Sequence, residues 1–236
     1  MSAAASGLTV LGIGGLGEIR PGDELGTLIA GASDLRDRDV VVVTQKIVSK
    51  AEGRLVAVAH DDTESRRRLV ESESVRVLRR RGELIIAETP HGFVCANAGV
   101  DFSNVPEGHA ALLPRDPDRS ARRVRDAIRG ACGRHVGVVV SDTFGRPWRR
   151  GLTDVAIGCA GVLAILDLRG TSDAGGRRLQ VTEVAIVDEL AAAAELVMGK
   201  DSGIPAAIVR GAPEAWFGDG RVGRDLVRPA ADDLFR

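Results

Sequence analysis

Residues 136–150 read VGVVVSDTFGRPWRR, and their layout decides how the chain is read. An apolar, valine-rich run has the composition of a buried strand. It ends in a hydroxyl, an acid and a second hydroxyl: Ser141, Asp142 and Thr143. A Gly/Pro-broken turn then carries Arg146, Arg149, Arg150 and Trp148, one of 2 tryptophans. A buried strand that delivers Asp142 to its tip suits a metal ion, and arginines beside it suit phosphates. Residues 91–106, HGFVCANAGVDFSNVP, repeat the arrangement with Asp101 and Asn104 after another apolar run. The alternative for each acid is a turn-capping role, which Asp and Asn fill for local reasons.

Outward from that strand, the elements alternate unevenly. Strands are expected at 8–13, over the valines of Val40–Thr44, at 54–58, 83–88, 93–96 and 206–210. Helices are expected at 61–81, at 118–132 with Ser120 or Asp118 starting and Gly133 ending it, and at 191–197. Asp23 is a candidate cap for a helix after the Gly/Pro-rich turn at 14–25. Residues 155–165 form a buried element of open type, and 179–186 a strand or a strand turning into a helix. This mixture predicts an α+β protein with mixed, non-Rossmann sheets. The glycines near Gly14 lack the dinucleotide-binding spacing, and GxxxxGK[ST] is missing, so neither a Rossmann fingerprint nor a P-loop is expected.

Composition narrows the classes. The 236 residues carry a net charge of −1, so no general attraction to nucleic acid or membrane surfaces is expected. No apolar run is long enough to span a bilayer, and the first residues lack a secretory layout. Cys95, Cys132 and Cys159 are odd in number and widely spaced, which reads as reduced thiols in a cytoplasmic protein. Of the 32 basic residues only Lys46, Lys50 and Lys200 are lysines. Two of them fall in TQKIVSK, directly after a buried strand, and on a helix they would share one face. They would then meet a polyphosphate or, alternatively, only solvent. The turn holding Leu16, Gly17, Glu18 and Ile19 offers free backbone amides to a ligand, or is a plain turn. The four histidines are scattered without zinc spacing. His91 either faces the site or holds a turn. Glu71 and Glu73 are candidate bases or ligands on a charged helix that otherwise faces water, and Asp154 is a candidate support for the arginine loop or the metal.

The stretches GLGEIRPGDEL, VVVVTQKIVSKAEGRLV, HGFVCANAGVDFSNV, VVVSDTFGRPWRRGLTDVAIG and LQVTEVAIVDELAAAAELVMGK together resemble the coenzyme F420-0:γ-glutamyl ligase family. They cover most of the chain in order. The resemblance implies a single ligase domain over residues 1–236, built as an intertwined homodimer of two-subdomain chains. It implies GTP, Mg²⁺ or Mn²⁺ at two sites, a monovalent cation such as K⁺, and coenzyme F420-0 and L-glutamate as substrates. By the same resemblance, Leu16, Gly17, Glu18, Ile19, Gln45, Lys50 and Asn104 contact GTP. Asp101 and Asp142 hold one metal, and Thr143 holds the second. Two departures are visible: related chains often carry proline at Gly17 and a smaller hydroxyl residue at Gln45. The nitroreductase-like half of the two-domain form is not present, so a stand-alone ligase or an excised domain is expected. The rival readings are a metal-dependent nucleotide phosphohydrolase and a GTP-binding module without turnover.

Overall fold

The computed structural model describes residues 7–58, 62–103 and 105–234. Its centre is a five-stranded sheet in the order β1-β12-β2-β8-β9. These strands are β1 (Thr9–Ile13), β2 (Val40–Thr44), β8 (Gly137–Arg146), β9 (Arg149–Ala160) and β12 (Ala206–Arg210). The β2/β8 pair is parallel and the others are antiparallel, so the sheet is mixed. Val40 through Val43 and Val138 through Val140 are all at 0% exposure. A strand buried at every residue needs cover on both faces, which is why these runs are continuously apolar rather than alternating.

Among the described residues, five α-helices accompany the strands: α1 (Leu25–Ala32), α2 (Gln45–Ala51), α3 (Thr63–Ser72), α4 (Pro117–Cys132) and α5 (Ile186–Met198). Helix α4 packs on β8 and β9, and α5 packs on β9, β12 and β1. Gly26 lets α1 approach α4 closely, since a Cβ there would lie 2.4 Å from the Val124 carbonyl oxygen.

Among the described residues there are also three small sheets. One is β4 (Arg76–Arg81), β5 (Leu84–Glu88) and β6 (Val94–Ala96); the second pairs β3 (Leu55–Ala57) with β7 (His109–Ala111); the third pairs β10 (Leu166–Asp167) with β11 (Glu183–Val184). The first two share a separate small core that includes Val70, Ile85, Ala98, Val100 and Leu112. The mixed α+β class is therefore as the uneven alternation predicts. No helix among the described residues is long and apolar enough to cross a membrane. Cys95, Cys132 and Cys159 are free thiols, the first and last buried.

Several local expectations need correction. The helix expected over 61–81 stops at Ser72, and Arg76–Arg81 is a strand. Its arginines stand on an exposed sheet, where Arg76 pairs with Glu88 across the strands at 2.9 Å. Residue 61 lies outside the described residues, and Asp62 caps α3 through Ser65 N–H. Helix α4 is capped by Asp116, which accepts from Arg119 N–H and precedes both expected starts, Asp118 and Ser120; Pro117 opens it and Gly133 closes it at φ 73°. Asp118 is engaged elsewhere, accepting from the Cys159 and Val222 amides at 2.9 Å each. Asp23 does not cap α1 but accepts from Arg20 N–H at 2.7 Å. The Gly/Pro-broken segment after Asp142 is the end of a long hairpin, with β8 running to Arg146 and β9 starting at Arg149. Trp148 turns it at φ 58°. The buried element at 155–165 is largely the inner half of β9.

Candidate active site

Strand β8 carries the first part of the site. Its valines anchor in the core, and Ser141 pairs with Thr44 of β2 at the end of the parallel ladder. A bulge in the β8–β9 pairing falls between Val140 and Ser141, and Thr143 then lies opposite Asp154. Asp154 is only 2% exposed, and its carboxylate is well supplied with donors. Ser141 Oγ donates to Oδ2 at 2.9 Å and Thr143 Oγ1 to Oδ1 at 2.6 Å. Lys200 Nζ reaches Thr143 Oγ1 and lies 3.3 Å from Asp154 Oδ1.

By strand alternation Asp142 points away from Ser141 and Thr143. It accepts from the Thr143 amide at 2.8 Å. It keeps part of its surface open, yet protein surrounds the carboxyl closely. Burial is the largest cause of its pKa rising from 3.8 to about 7; Asp101 and Asp154 push it further up, while the Thr143 amide and Lys200 pull it down. Acids forced together in this way suit a cation.

The second part comes from the small sheets. After β6 the chain makes a tight turn with Asn97 and Ala98 both at positive φ, 51° and 52°. It then extends so that Asp101 exchanges backbone hydrogen bonds with Ala111. The Asp101 side chain does both jobs that its sequence context allows. Oδ1 accepts from the Ser103 amide and hydroxyl, each at 2.7 Å, as a turn acid does. Oδ2 faces Lys46 Nζ at 2.9 Å. Asn104 lies outside the described residues.

The third part joins the first loop to α2. Lys50 Nζ meets Glu18 Oε1 at 2.7 Å, tying the Leu16–Ile19 turn to the end of that short helix. Gly17, at φ 68°, and Glu18 are exposed, whereas Ile19 is buried and Leu16 packs on the main core. Gln45 is 2% exposed and locked inward: its Oε1 lies 2.9 Å from Ser49 Oγ, which also reaches the Leu112 carbonyl at 2.6 Å. A hydroxyl has one proton, so it donates to Leu112. Turning the Gln45 amide over then makes Nε2 the donor to Ser49. In this conformation Gln45 supports the site from inside rather than facing solvent.

Other candidates lie apart. Glu71 pairs with Arg80 at 2.8 Å and Glu73 with Arg54 at 2.9 Å. His91 donates from Nε2 to the Pro114 carbonyl at 2.9 Å and stacks on Phe93, a structural arrangement. Arg146, Arg149 and Arg150 are exposed on the hairpin. Trp148, at the turn of that hairpin, is 82% exposed. Lys200 was not a candidate, although its signal was present: it is the third lysine of an arginine-rich chain. All three lysines meet site acids, Lys46 with Asp101, Lys50 with Glu18 and Lys200 with Asp154.

As a donor set for Mg²⁺ or Mn²⁺, Asp101 and Asp142 fit by chemistry. Both offer hard oxygens, and Asp142, raised chiefly by its burial and further by Asp101 and Asp154, is a carboxyl that a bound cation would help to ionise. Among the described residues no three His, Cys, Asp or Glu side chains form a metal cage by themselves.

Comparison with known proteins gives the family. The sequence profile described as F420-0:Gamma-glutamyl ligase matches residues 15–211. A protein of Methanothermobacter thermautotrophicus named coenzyme F420:L-glutamate ligase is 43% identical over 98% of this chain and 99% of its own length. Proteins of the same name from Methanopyrus kandleri and Methanocaldococcus jannaschii are 44% and 42% identical, covering 93% and 86% of this chain and 94% and 86% of their own lengths. The matched span holds all three parts of the site, and the chain belongs to the F420-0:γ-glutamyl ligase family.

Proposed function

We propose that this chain is a GTP-dependent ligase that joins L-glutamate to the carboxylate of coenzyme F420-0, and then a second, γ-linked glutamate to that product. The observation that carries this reading is the end-to-end match to proteins named for that ligation; the Lys46–Asp101 and Lys50–Glu18 pairs, which lie within the span matched by the family profile, support it.

A carboxylate is a poor electrophile, so it is activated first. Its oxygen attacks the γ-phosphorus of GTP, giving an acyl phosphate and GDP. The glutamate amine then attacks the acyl carbon, and phosphate leaves with the oxygen that came from the carboxylate. In such transfers a protein mainly positions groups and neutralises charge. Lys50, held by Glu18 at the mouth of the first loop, is placed to exchange that partner for a nucleotide phosphate. Lys46 fixes the Asp101 turn. Asp101 and Asp142 would hold Mg²⁺ or Mn²⁺, which when bound supplies positive charge to the phosphates. The exposed arginines of the β8–β9 hairpin, Arg146 and Arg149, would receive the acidic acceptor through forked contacts. The same hairpin presents Trp148 and Leu152, 82% and 67% exposed, as the apolar surface for a second copy in the proposed homodimer.

The test measures GDP release in Mn²⁺ and K⁺ with neither, either or both of F420-0 and L-glutamate. The ligase reading expects release that depends on the acceptors. Equal release without them would make the chain a phosphohydrolase, and binding without release would make it a nucleotide-binding module.

A further inference from the structure

Lys200 sits on the short loop between α5 and β12, after Gly199 at φ 58° and before Gly203 at φ 69°. Its ammonium is surrounded by oxygens of three separate elements. It bonds to Thr143 Oγ1 on β8, lies 3.3 Å from Asp154 Oδ1 on β9, and lies 3.4 Å from Glu195 Oε1 on α5. A hydroxyl, a buried carboxylate and a second carboxylate are the kind of donors that a hard cation takes. Here a tethered ammonium already occupies that position. The Thr143 hydroxyl gives its proton to Asp154 and a lone pair to Lys200. Asp154 likewise has Oδ2 engaged by Ser141.

We propose that Lys200 is a built-in cation standing in place of a second divalent ion, so that each chain takes one divalent ion, at Asp101 and Asp142, rather than two. The inference rests on the reading of Asp101 and Asp142 as a metal site. It differs from the family-based expectation that Thr143 ligates a second metal. A lysine ammonium carries its charge as a compact point and donates three hydrogen bonds, so it can satisfy three oxygens at once. It also stays with the protein through turnover, whereas a free ion exchanges.

The experiment counts Mn²⁺ per chain in buffer free of K⁺, from the loss of the free aquo-ion resonance signal. It is repeated by equilibrium dialysis with GDP present. Four proteins are compared: wild type, Lys200→Gln, Lys200→Arg and Asp142→Asn, each checked for cooperative thermal melting. Wild type is expected to bind one Mn²⁺. Lys200→Gln should bind two, because the amide removes the charge and frees Thr143, Asp154 and Glu195. Lys200→Arg should return to one, and Asp142→Asn should lose the ion that wild type holds. Two Mn²⁺ on wild type, or one on Lys200→Gln, overturns the role of Lys200 while leaving the Asp101–Asp142 site intact. No Mn²⁺ on wild type with one on Lys200→Gln overturns the Asp101–Asp142 site and upholds Lys200.

Discussion

Replacing Asp142 by Asn should stabilise the metal-free protein at neutral and alkaline pH, although it removes a proposed ligand. The Asp142 carboxyl titrates at about 7 instead of 3.8, chiefly because burial penalises its charge and then because Asp101 and Asp154 stand near it. The native state therefore holds this proton more tightly than the unfolded chain. Below the ordinary value both states are protonated and nothing is lost. As pH rises from there towards 7 the unfolded chain ionises first, and stability falls; above 7 the loss is complete. Three pKa units at about 1.4 kcal/mol each set a ceiling of about 4 kcal/mol. Asn keeps the acceptor for the Thr143 amide and carries no charge, so it escapes this loss. At roughly 2–4 °C per kcal/mol for a chain of this size, a shift of several degrees in Tm is expected. The assay is thermal and urea unfolding of EDTA-treated wild type and Asp142→Asn from pH 4.5 to 8.5. The variant's advantage should grow with pH and level off above 7. Added Mn²⁺ should then raise the Tm of wild type and leave the variant nearly unmoved, since only the native wild-type site binds it. A difference between the two proteins that is independent of pH would mean that the Asp142 charge is not what costs stability, and equal Mn²⁺ stabilisation of both would mean that Asp142 does not hold the ion.

Other perturbations address separate parts. Lys50→Ala should raise the GTP requirement tenfold or more and the glutamate requirement much less, because a charge-assisted contact is worth roughly 1.5–3 kcal/mol; Lys50→Arg should recover only part, and steady-state titrations of each substrate decide. Thermal melting of the same variants separates a folding effect, since the Lys50 side chain is 12% exposed although its Glu18 partner is 70% exposed. Arg146→Ala and Arg149→Ala should impair use of F420-0 at saturating GTP, Mn²⁺ and glutamate while Mn²⁺ binding is retained; unchanged acceptor dependence would make both arginines surface charge. Gly26→Ala should destabilise by roughly 1–3 kcal/mol through overpacking of α1 on α4, read from urea melts. Gly31→Ala, where an added Cβ meets nothing within 4 Å, should be neutral or stabilising.

The valine runs of β2 and β8 were legible because a doubly covered strand has no polar face to confuse the pattern. So was the end of α4, where Gly133 takes a left-handed conformation. Misreadings arose where exposure blurred the period. RVLRRR in β4 lies on a sheet with an exposed face, and its charges read as a solvated helix; the turn at Gly82, φ 58°, was the available signal for a hairpin. GRPWRR read as a loop because Pro and Gly usually break strands, yet here Trp148 turns a hairpin whose strands continue on either side. In the site, Asp101 and Asp142 were visible as acids after apolar runs. Lys200 was not, since it lies 57 positions from Thr143 and only the fold of α5 and β12 brings it back. Nor could the sequence show that Gln45 turns inward, because that depends on the Leu112 carbonyl reached through Ser49.

The proposed reaction activates a carboxylate with GTP and captures it with glutamate. The most direct measurement uses F420-0 labelled with oxygen-18 in its terminal carboxylate, incubated with GTP, L-glutamate, Mn²⁺ and the protein. Mass spectrometry of the deazaflavin and of the released phosphate follows. The expected result is a product longer by a glutamyl residue and phosphate carrying one labelled oxygen, in step with GDP. GDP and unlabelled phosphate without glutamylated product would contradict it.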